Sequence, residues 1–288
     1  MSAPLVELDH VGRRFTSGNF LSRHHTTAVD DVSFTLDDGR PEIFTIIGES
    51  GSGKTTIARM MLKLEVPSSG AIRFRGRDVQ TIKSRTDRLA FMAEVQPVFQ
   101  NPFAAFNPLK RIDRYLFATA RRFTDARTTA EIERAADRAL QQVGLSLAEV
   151  KSRFPHELSG GQLQRIAIAR ALIPKPSLLI ADEPVSMVDA SLRMSIVNLF
   201  KALRDDLEVS IVYITHDLTT AYYISDRIII MQKGKVVEEG DAQKVLSAPQ
   251  HPYSKLLKNS VLSPDMFADE GSDRPPAPSD EFKLKKTS

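Results

Sequence analysis

Gly48-Glu49-Ser50-Gly51-Ser52-Gly53-Lys54-Thr55-Thr56 is the stretch around which the rest of the chain is organised. It fits the pattern G-x-x-x-x-G-K-[ST], and both of its flanks suit that pattern. Before it, Ile43-Phe44-Thr45-Ile46-Ile47 is a short apolar, β-branched run that predicts a buried strand. After it, Ile57, Ala58, Met60, Met61, Leu62 and Leu64 recur at helical spacing. Strand, glycine loop and helix in that order let successive backbone N–H groups converge on a phosphate at the positive end of a helix. Glycine allows the backbone to come closer than a Cβ would permit. Lys54 can reach the β and γ phosphates, and the Thr55 hydroxyl can ligate Mg²⁺. The stretch predicts a nucleotide site.

Composition narrows the rest. With 288 residues, 42% hydrophobic and 26% charged, the chain is long enough for one large or two small globular domains. A net charge of +3 is small for this length and argues only weakly for anionic lipid or nucleic acid as a partner. The absence of cysteine excludes disulfides, thiolate metal sites and cysteine nucleophiles. Met1–Glu7 has neither a basic region nor an apolar core, so no signal peptide is expected. No uncharged apolar run approaches the ~20 residues of a membrane-spanning helix. Any service to a membrane would therefore go through a partner.

Outward from the loop, Leu5–Asp9 and Ala28–Leu36 alternate as strands do, and polar Thr16–Thr27 between them predicts a loop. His24 and His25 in that loop read as solvated rather than metal-ligating, because no other His or carboxylate cluster lies close. Phe15 admits two readings, an aromatic that stacks on a purine or a core or edge aromatic. Pro67–Gly70 is a turn, Ala71–Phe74 a strand and Lys83–Arg88 a basic, solvated helix, while Leu89–Phe99 predicts another strand. The two prolines of Asn101–Pro108 preclude regular structure throughout, giving a surface loop with exposed Phe103 and Phe106. From Arg111 to Leu172 strand signals vanish, and Ile132, Ala135, Ala136, Ala139, Leu140 and Val143 mark a helix that stops at Gly144. Strands return at Ser177–Ala181, Val209–Thr215 and Arg227–Met231, with helices at Ser191–Leu207 and Leu218–Ile224, which predicts a parallel sheet. Lys235–Glu239 suits an antiparallel edge after the Lys233-Gly234 turn, and the Pro-rich charged tail from Gly271 predicts disorder.

Two further motifs carry chemistry. Leu178-Leu179-Ile180-Ala181-Asp182-Glu183 is an apolar strand ending in two acids. Beside a phosphate loop, Asp182 would meet Mg²⁺ and Glu183 would lie near a water aligned on the γ phosphate. Leu158-Ser159-Gly160-Gly161-Gln162 precedes an amphipathic helix, where Ser159 can cap the helix and the glycine amides can form a second anion cradle.

With these motifs in this order, the chain resembles the ATP-binding subunit of an ABC transporter over roughly residues 1–260. Gly48–Thr55 matches the Walker A loop, Gln100 the Q-loop glutamine and Leu158–Gln162 the signature. Leu178–Asp182 with Glu183 matches the Walker B strand and catalytic base, Ser186–Asp189 the D-loop, and His216 the switch histidine. Phe15 falls where the family's adenine-stacking aromatic belongs. More narrowly, Gln100–Pro108, His251-Pro252-Tyr253-Ser254-Lys255-Leu256-Leu257 and the extra loop after Phe15 resemble the dipeptide/oligopeptide importer branch, which also includes nickel and some sugar systems. Branch members with a C-terminal iron–sulfur cluster carry cysteines that this chain lacks, and the D-loop reads Met187-Val188 where Ala-Leu is commoner.

The resemblance implies an α/β P-loop NTPase (RecA-like) core with a mainly parallel sheet, an N-terminal antiparallel β subdomain and an inserted α-helical subdomain. The nucleotide-binding domain would span 1–248, with the helical subdomain at about 103–172, a branch extension at 249–270 and a disordered tail at 271–288. It implies that ATP is bound by Phe15, Gly48, Glu49, Ser50, Gly51, Ser52, Gly53, Lys54, Thr55 and Thr56, and Mg²⁺ by Thr55, Gln100 and Asp182. Glu183, His216 and Gln100 would be catalytic. In a head-to-tail dimer, Ser159, Gly160, Gly161 and Gln162 would cover the ATP of the partner, with Asp189 in the D-loop. Implied partners are a second ATP-binding subunit, identical or a paralogue, two membrane permease subunits, and through them an extracytoplasmic solute-binding protein, with no nucleic acid. The implied location is peripheral, on the cytoplasmic face of the inner membrane. A soluble relative acting in DNA repair or on ribosomes would carry a coiled-coil or zinc insertion or a second cassette. A non-enzymatic regulatory module would lack Glu183 or His216, and both are present.

Overall fold

The computed structural model describes residues 3–17 and 24–261. The tail read at 271–288, the last part of the 249–270 extension, and Gly18 and Asn19 of the loop after Phe15 lie outside the described residues. The described residues fall into two compact units, one built from residues up to Ser84 together with those from Val212 on, the other from Arg85–Ile211.

The first unit contains two sheets. One is antiparallel, in the order β2-β1-β4-β5, from β1 (Val6–Ser17), β2 (His24–Leu36), β4 (Ser69–Phe74) and β5 (Arg77–Asp78). The other takes β3 (Ile43–Ile47), β8 (Ser210–Thr215), β9 (Arg227–Gln232) and β10 (Lys235–Asp241) in the order β10-β9-β3-β8. β3 and β9 run parallel with Ile46 opposite Ile229, while β10 is an antiparallel edge on β9. Every residue of β3 is buried, as a strand covered on both faces requires. Helices α1 (Lys54–Met61), α8 (Leu218–Ile224), α9 (Ala242–Ser247) and α10 (Pro252–Val261) complete the unit. Phe34 of β2 stacks on Phe44 of β3 with ring centroids 4.6 Å apart, joining the two sheets' cores.

The second unit is mainly helical. It holds α2 (Arg85–Glu94), β6 (Val95–Val98), α3 (Ile112–Phe123), α4 (Thr129–Gln141), α5 (Leu147–Val150), α6 (Gly160–Leu172), β7 (Leu178–Asp182) and α7 (Ala190–Leu207). β6 and β7 pair in parallel. α6 packs against α3, α4, α7 and β6, which explains why Leu163, Ile166, Ile168, Ala169 and Leu172 are all buried around it. Thr128 and Glu131 form a capping box on α4 and Ser146 and Glu149 one on α5, fixing where each helix begins. Gly144 ends the α4 segment in the left-handed region with φ +73°, as its sequence position predicts.

Three expectations are corrected. Within Thr16–Thr27, Thr16, Ser17 and the residues from His24 to Thr27 are paired strand, with Phe15 opposite Thr26 and Thr16 opposite His25, while residues 18–23 lie outside the described residues. A solvated ribbon needs no apolar face because the ladder itself satisfies its N–H and C=O groups. Most of Leu89–Phe99 is helix: α2 continues to Glu94 and the strand is confined to Val95–Val98. An apolar run of that length does not distinguish the two, and Leu89, Ala90, Met92 and Ala93 are good helix formers. Phe106 is buried, not exposed, and meets Tyr115 edge-on at 5.2 Å. The Tyr115 hydroxyl accepts the Asn107 N–H at 2.7 Å, so the loop closes over its own aromatic, whereas Phe103 is exposed as expected.

Candidate nucleotide site

In the first unit, β3 delivers the chain at Gly48 and α1 takes it away at Lys54, with the glycine loop between. Gly53 is the residue before the helix, at φ +106° and ψ −5°, a conformation that L side chains rarely adopt. A Cβ there would overlap the Ala28 carbonyl oxygen, and one at Gly48 would overlap the Met231 carbonyl oxygen. Both glycines are thus required by neighbouring backbone. Gly51, at φ +82°, is different: a Cβ there would meet nothing within 4 Å, so this face of the loop opens on empty space. The Lys54 ammonium is buried under the loop and donates to the carbonyls of Gly48 at 2.7 Å and Glu49 at 2.8 Å. Ser52 is 1% exposed and its hydroxyl has no hydrogen-bond partner among the described residues. An open glycine face, a buried lysine and an unpartnered buried hydroxyl fit an anion such as a polyphosphate. Glu49, Ser50 and Thr55 are exposed and Thr56 half-buried at the mouth of the loop.

Two contacts hold this loop from outside its own segment. The Lys233-Gly234 turn, with φ +48° and +84°, places the Gly234 N–H on the Ser52 carbonyl at 3.0 Å. The Glu49 N–H donates to the Tyr253 hydroxyl at 3.0 Å. Sequence reading assigned neither residue to the site. Gly234 is legible only as a turn, and Tyr253 only as part of a branch resemblance.

Phe15 lies on β1, 37% exposed, with the Arg13 guanidinium 4.6 Å above its ring. Arg13 is itself paired with Glu65. One ring face of Phe15 is therefore already occupied by a cation. His216 is exposed, between β8 and the start of α8. The next residue, Asp217, caps α8 by accepting the N–H groups of Thr219 and Thr220 at 2.9 and 3.3 Å.

In the second unit, β7 ends at Asp182, and Glu183 follows in the left-handed region at φ +46°. The turn is held by Ser186, whose N–H and hydroxyl both donate to the Glu183 carbonyl, at 3.2 and 3.0 Å. A non-glycine residue held this way costs about 1–3 kcal/mol, a strain found where geometry matters for function. The Gln100 side-chain amide donates to the Glu183 carboxylate at 3.0 Å, bringing together two predicted site residues that are 83 positions apart. Asp182, next to Glu183 in sequence, is half-buried.

The Leu158–Gln162 motif sits at the head of α6. Ser159 is the N-cap, its hydroxyl accepting the Gln162 N–H at 3.2 Å while the Gln162 carboxamide oxygen accepts the Ser159 N–H at 3.0 Å. Beside it lies a cavity of about 520 Å³ lined by Ser159, Gly161, Gln162, Arg165, Leu192 and Ile196. A Cβ at Gly161 would stand 2.8 Å from Leu192 Cδ1, so the half-exposed Leu192 side chain would have to shift to admit one. Burial lowers the pKa of the Arg165 guanidinium, which donates to the Ser195 hydroxyl at 2.5 Å. Asp189 is exposed at the first turn of α7. The donor set assigned to a cation by sequence, a hydroxyl (Thr55), a carboxylate (Asp182) and a carboxamide (Gln100), consists of hard oxygens, which suit Mg²⁺.

Comparison with known proteins supplies the family. Residues 29–186 match the ABC transporter family, and residues 237–286 match the oligopeptide/dipeptide transporter C-terminal region. The oligopeptide transport ATP-binding protein OppF of Bacillus subtilis is 38% identical over 265 residues, which cover 92% of this chain and 85% of that protein. A putative peptide import ATP-binding protein of Brucella ovis is 40% identical over 251 residues, covering 85% and 78%. Among solved structures, the dimeric ATP-binding cassette MJ0796 bound to ADP and Pi superposes with a TM-score of 0.71 at 26% identity, over 83% of this chain and 99% of that one. The cbiO1 protein of Clostridium perfringens, described as part of the ABC transporter complex cbiONQ, gives 0.71 at 25% identity over 85% and 92%. The fold is that of an ABC ATPase cassette, and the chain belongs to the ABC transporter family as an ATP-binding, ATP-hydrolysing member.

Proposed function

We propose that this ATPase powers an importer of dipeptides or oligopeptides, working as one of a head-to-tail pair of cassettes on two membrane permease subunits. The hydrolytic part rests on one observation, the hydrogen bond from Gln100 to the strained Glu183 at the end of β7. The choice of peptide rests on the match of residues 237–286 and on the printed roles of the OppF and Brucella relatives. No helix among the described residues is long and apolar enough to cross a membrane, so attachment goes through the permease. A solute-binding protein on the far side would deliver the peptide, and the cassettes would sit on the cytoplasmic face.

In this reading residues 48–56 hold the triphosphate. Loop N–H groups and the Lys54 ammonium neutralise the β and γ phosphates, and the Ser52 hydroxyl finds there the partner it lacks. Phe15 takes the adenine on the ring face that Arg13 leaves open. Mg²⁺, on Thr55, Asp182 and Gln100, would supply charge neutralisation at the phosphates. Glu183 accepts a proton from the attacking water, and His216 holds water and γ phosphate in line. Ser159, Gly160, Gly161 and Gln162 lie at the positive end of α6 and cover the partner's nucleotide, with Asp189 alongside. Closure then depends on an intact γ phosphate and reverses on its release, a ligand-driven two-state switch.

The test is Glu183→Gln in the purified full chain. ATP affinity should stay within a few-fold of wild type, while ATP hydrolysis falls by the roughly 10²–10⁴-fold that a general base contributes. Undiminished hydrolysis would remove Glu183 from the role of base.

A further inference from the structure

We propose that Tyr253 is a positioning residue for the phosphate loop, through which the C-terminal segment sets the place of the Lys54 ammonium. The inference rests on the reading of residues 48–56 as the nucleotide site and extends the machinery to a residue about two hundred positions away, which the Glu49–Tyr253 separation of 204 makes explicit.

The geometry lies in a single peptide group. The bond between Gly48 and Glu49 carries the Gly48 carbonyl and the Glu49 N–H, which in a trans peptide point in opposite directions from one rigid plane. The carbonyl accepts Lys54 Nζ at 2.7 Å, and the N–H donates to the Tyr253 hydroxyl at 3.0 Å. Lys54 also reaches the Glu49 carbonyl at 2.8 Å, so both of its carbonyl anchors flank the residue that Tyr253 holds. Fixing the N–H fixes the tilt of the plane and so the direction of the carbonyl that seats the ammonium. Each bond in such a chain polarises the next.

Tyr253 is well placed to act as a fixed post. It is 7% exposed, and its ring lies in a cluster with Ile47, Leu218, Ile230 and Val245. Ile47 is the residue immediately before Gly48, so ring and hydroxyl grip the two ends of the same turn of chain. Burial raises the phenol pKa, which keeps the group neutral. The start of α10 is anchored in turn: Glu238 on β10 accepts the N–H of Gln250 at 2.8 Å and of His251 at 3.1 Å, and the Tyr253 N–H donates to His251 Nδ1 at 3.2 Å. A rigid strand thus carries the post.

The experiment compares three variants of the full chain. Tyr253→Phe keeps the ring and deletes only the acceptor, so the dissociation constants of Mg-ADP and Mg-ATP, by equilibrium titration, should rise about 2- to 10-fold, the effect of one hydrogen bond. In steady state the KM for ATP should rise by the same factor while kcat stays within about 2-fold, because the loop is needed equally in ground and transition state. Leu257→Ala trims the same helix where it packs on the same cluster. It should lower Tm but leave KM and the nucleotide dissociation constants at wild-type values. Lys54→Ala should abolish measurable binding. If Lys54→Ala binds normally, the nucleotide-site reading itself fails. If it loses binding but Tyr253→Phe titrates as wild type, only the role of Tyr253 is overturned. An equal loss of affinity in Leu257→Ala assigns the effect to helix packing and overturns it likewise.

Discussion

Gly51 and Gly53 are two positions apart in the same loop, both at positive φ, and replacing each by alanine should separate binding from folding. At Gly51, φ +82°, the only cost in the free protein is a side chain in the left-handed region, since no atom lies within 4 Å of the new Cβ. That is about 1–2 kcal/mol, which for a chain of this size lowers Tm by about 2–8 °C. The methyl group, however, would stand in the open space that the phosphates are proposed to fill. Mg-ATP affinity should therefore fall by at least ~10-fold, the effect of one displaced N–H contact to a charged group. At Gly53, φ +106°, the same conformational cost is joined by overlap with the Ala28 carbonyl on β2. Relieving that overlap means moving backbone, which adds about 1–3 kcal/mol. The total of ~2–5 kcal/mol should lower Tm by up to ~20 °C or leave the chain unfolded at 37 °C. Thermal unfolding without nucleotide and titration with Mg-ATP are the two assays. If Gly51→Ala binds Mg-ATP as tightly as wild type, the phosphates do not lie on the open face of the loop, and the placement of the site is wrong.

Two other perturbations test separate parts of the structure. Ser159→Asp should keep α6 capped, because aspartate caps as well as serine and suits the helix dipole. Tm should hold, whereas ATP-dependent dimerisation, read by size exclusion in the Glu183→Gln background, should be lost as the new carboxylate meets the partner's phosphates. A dimer that still forms would take the signature out of the interface. Glu42 has its pKa raised above the ordinary 4.5, by burial against the opposing effect of Arg227, which donates to it at 3.1 and 3.4 Å. A carboxyl with a raised folded pKa binds more protons folded than unfolded, so its contribution to stability is present below 4.5 and is lost as pH rises through the folded value. The difference in Tm between wild type and Glu42→Gln, followed upward from pH 4.5, should shift toward the variant and then level off. A flat difference would refute the assignment.

What could be read from the residues follows a physical division. β3 and α8 fall at the positions their patterns predict, because a fully buried strand and a short capped helix leave unmistakable local signals in Ile43–Ile47 and Leu218–Ile224. Ser159 is legible as a cap for the same reason, since capping joins residues three apart. Two of the errors fall where a residue on another element decides. Phe106 is buried because Tyr115 closes on it, and proline-rich surroundings give no hint of that. Thr16, Ser17 and the residues from His24 to Thr27 are strand because β1 and β2 pair, and pairing leaves no mark on the polar residues of an exposed face. Tyr253 and Gly234 escape altogether: each serves the phosphate loop through one backbone hydrogen bond, and a backbone partner constrains the residue type of the loop not at all.

The Gln100–Glu183 hydrogen bond connects the two ends of the second unit's chemistry in a way neither motif conveys alone. Glu183 cannot swing freely, since its left-handed backbone is pinned by Ser186 and its carboxylate by the Gln100 amide. Gln100 is in turn the first residue of the Gln100–Pro108 stretch, whose Ala104 N–H is taken by the Asn101 side chain at 3.1 Å and whose Phe106 is clamped on Tyr115 of α3. α3 is thus tied to the loop by the Phe106–Tyr115 ring contact, and the loop to the proposed base by an amide. The carboxylate keeps further lone pairs on both oxygens with which to orient a water, so Gln100 can hold the proposed base in place without blocking it.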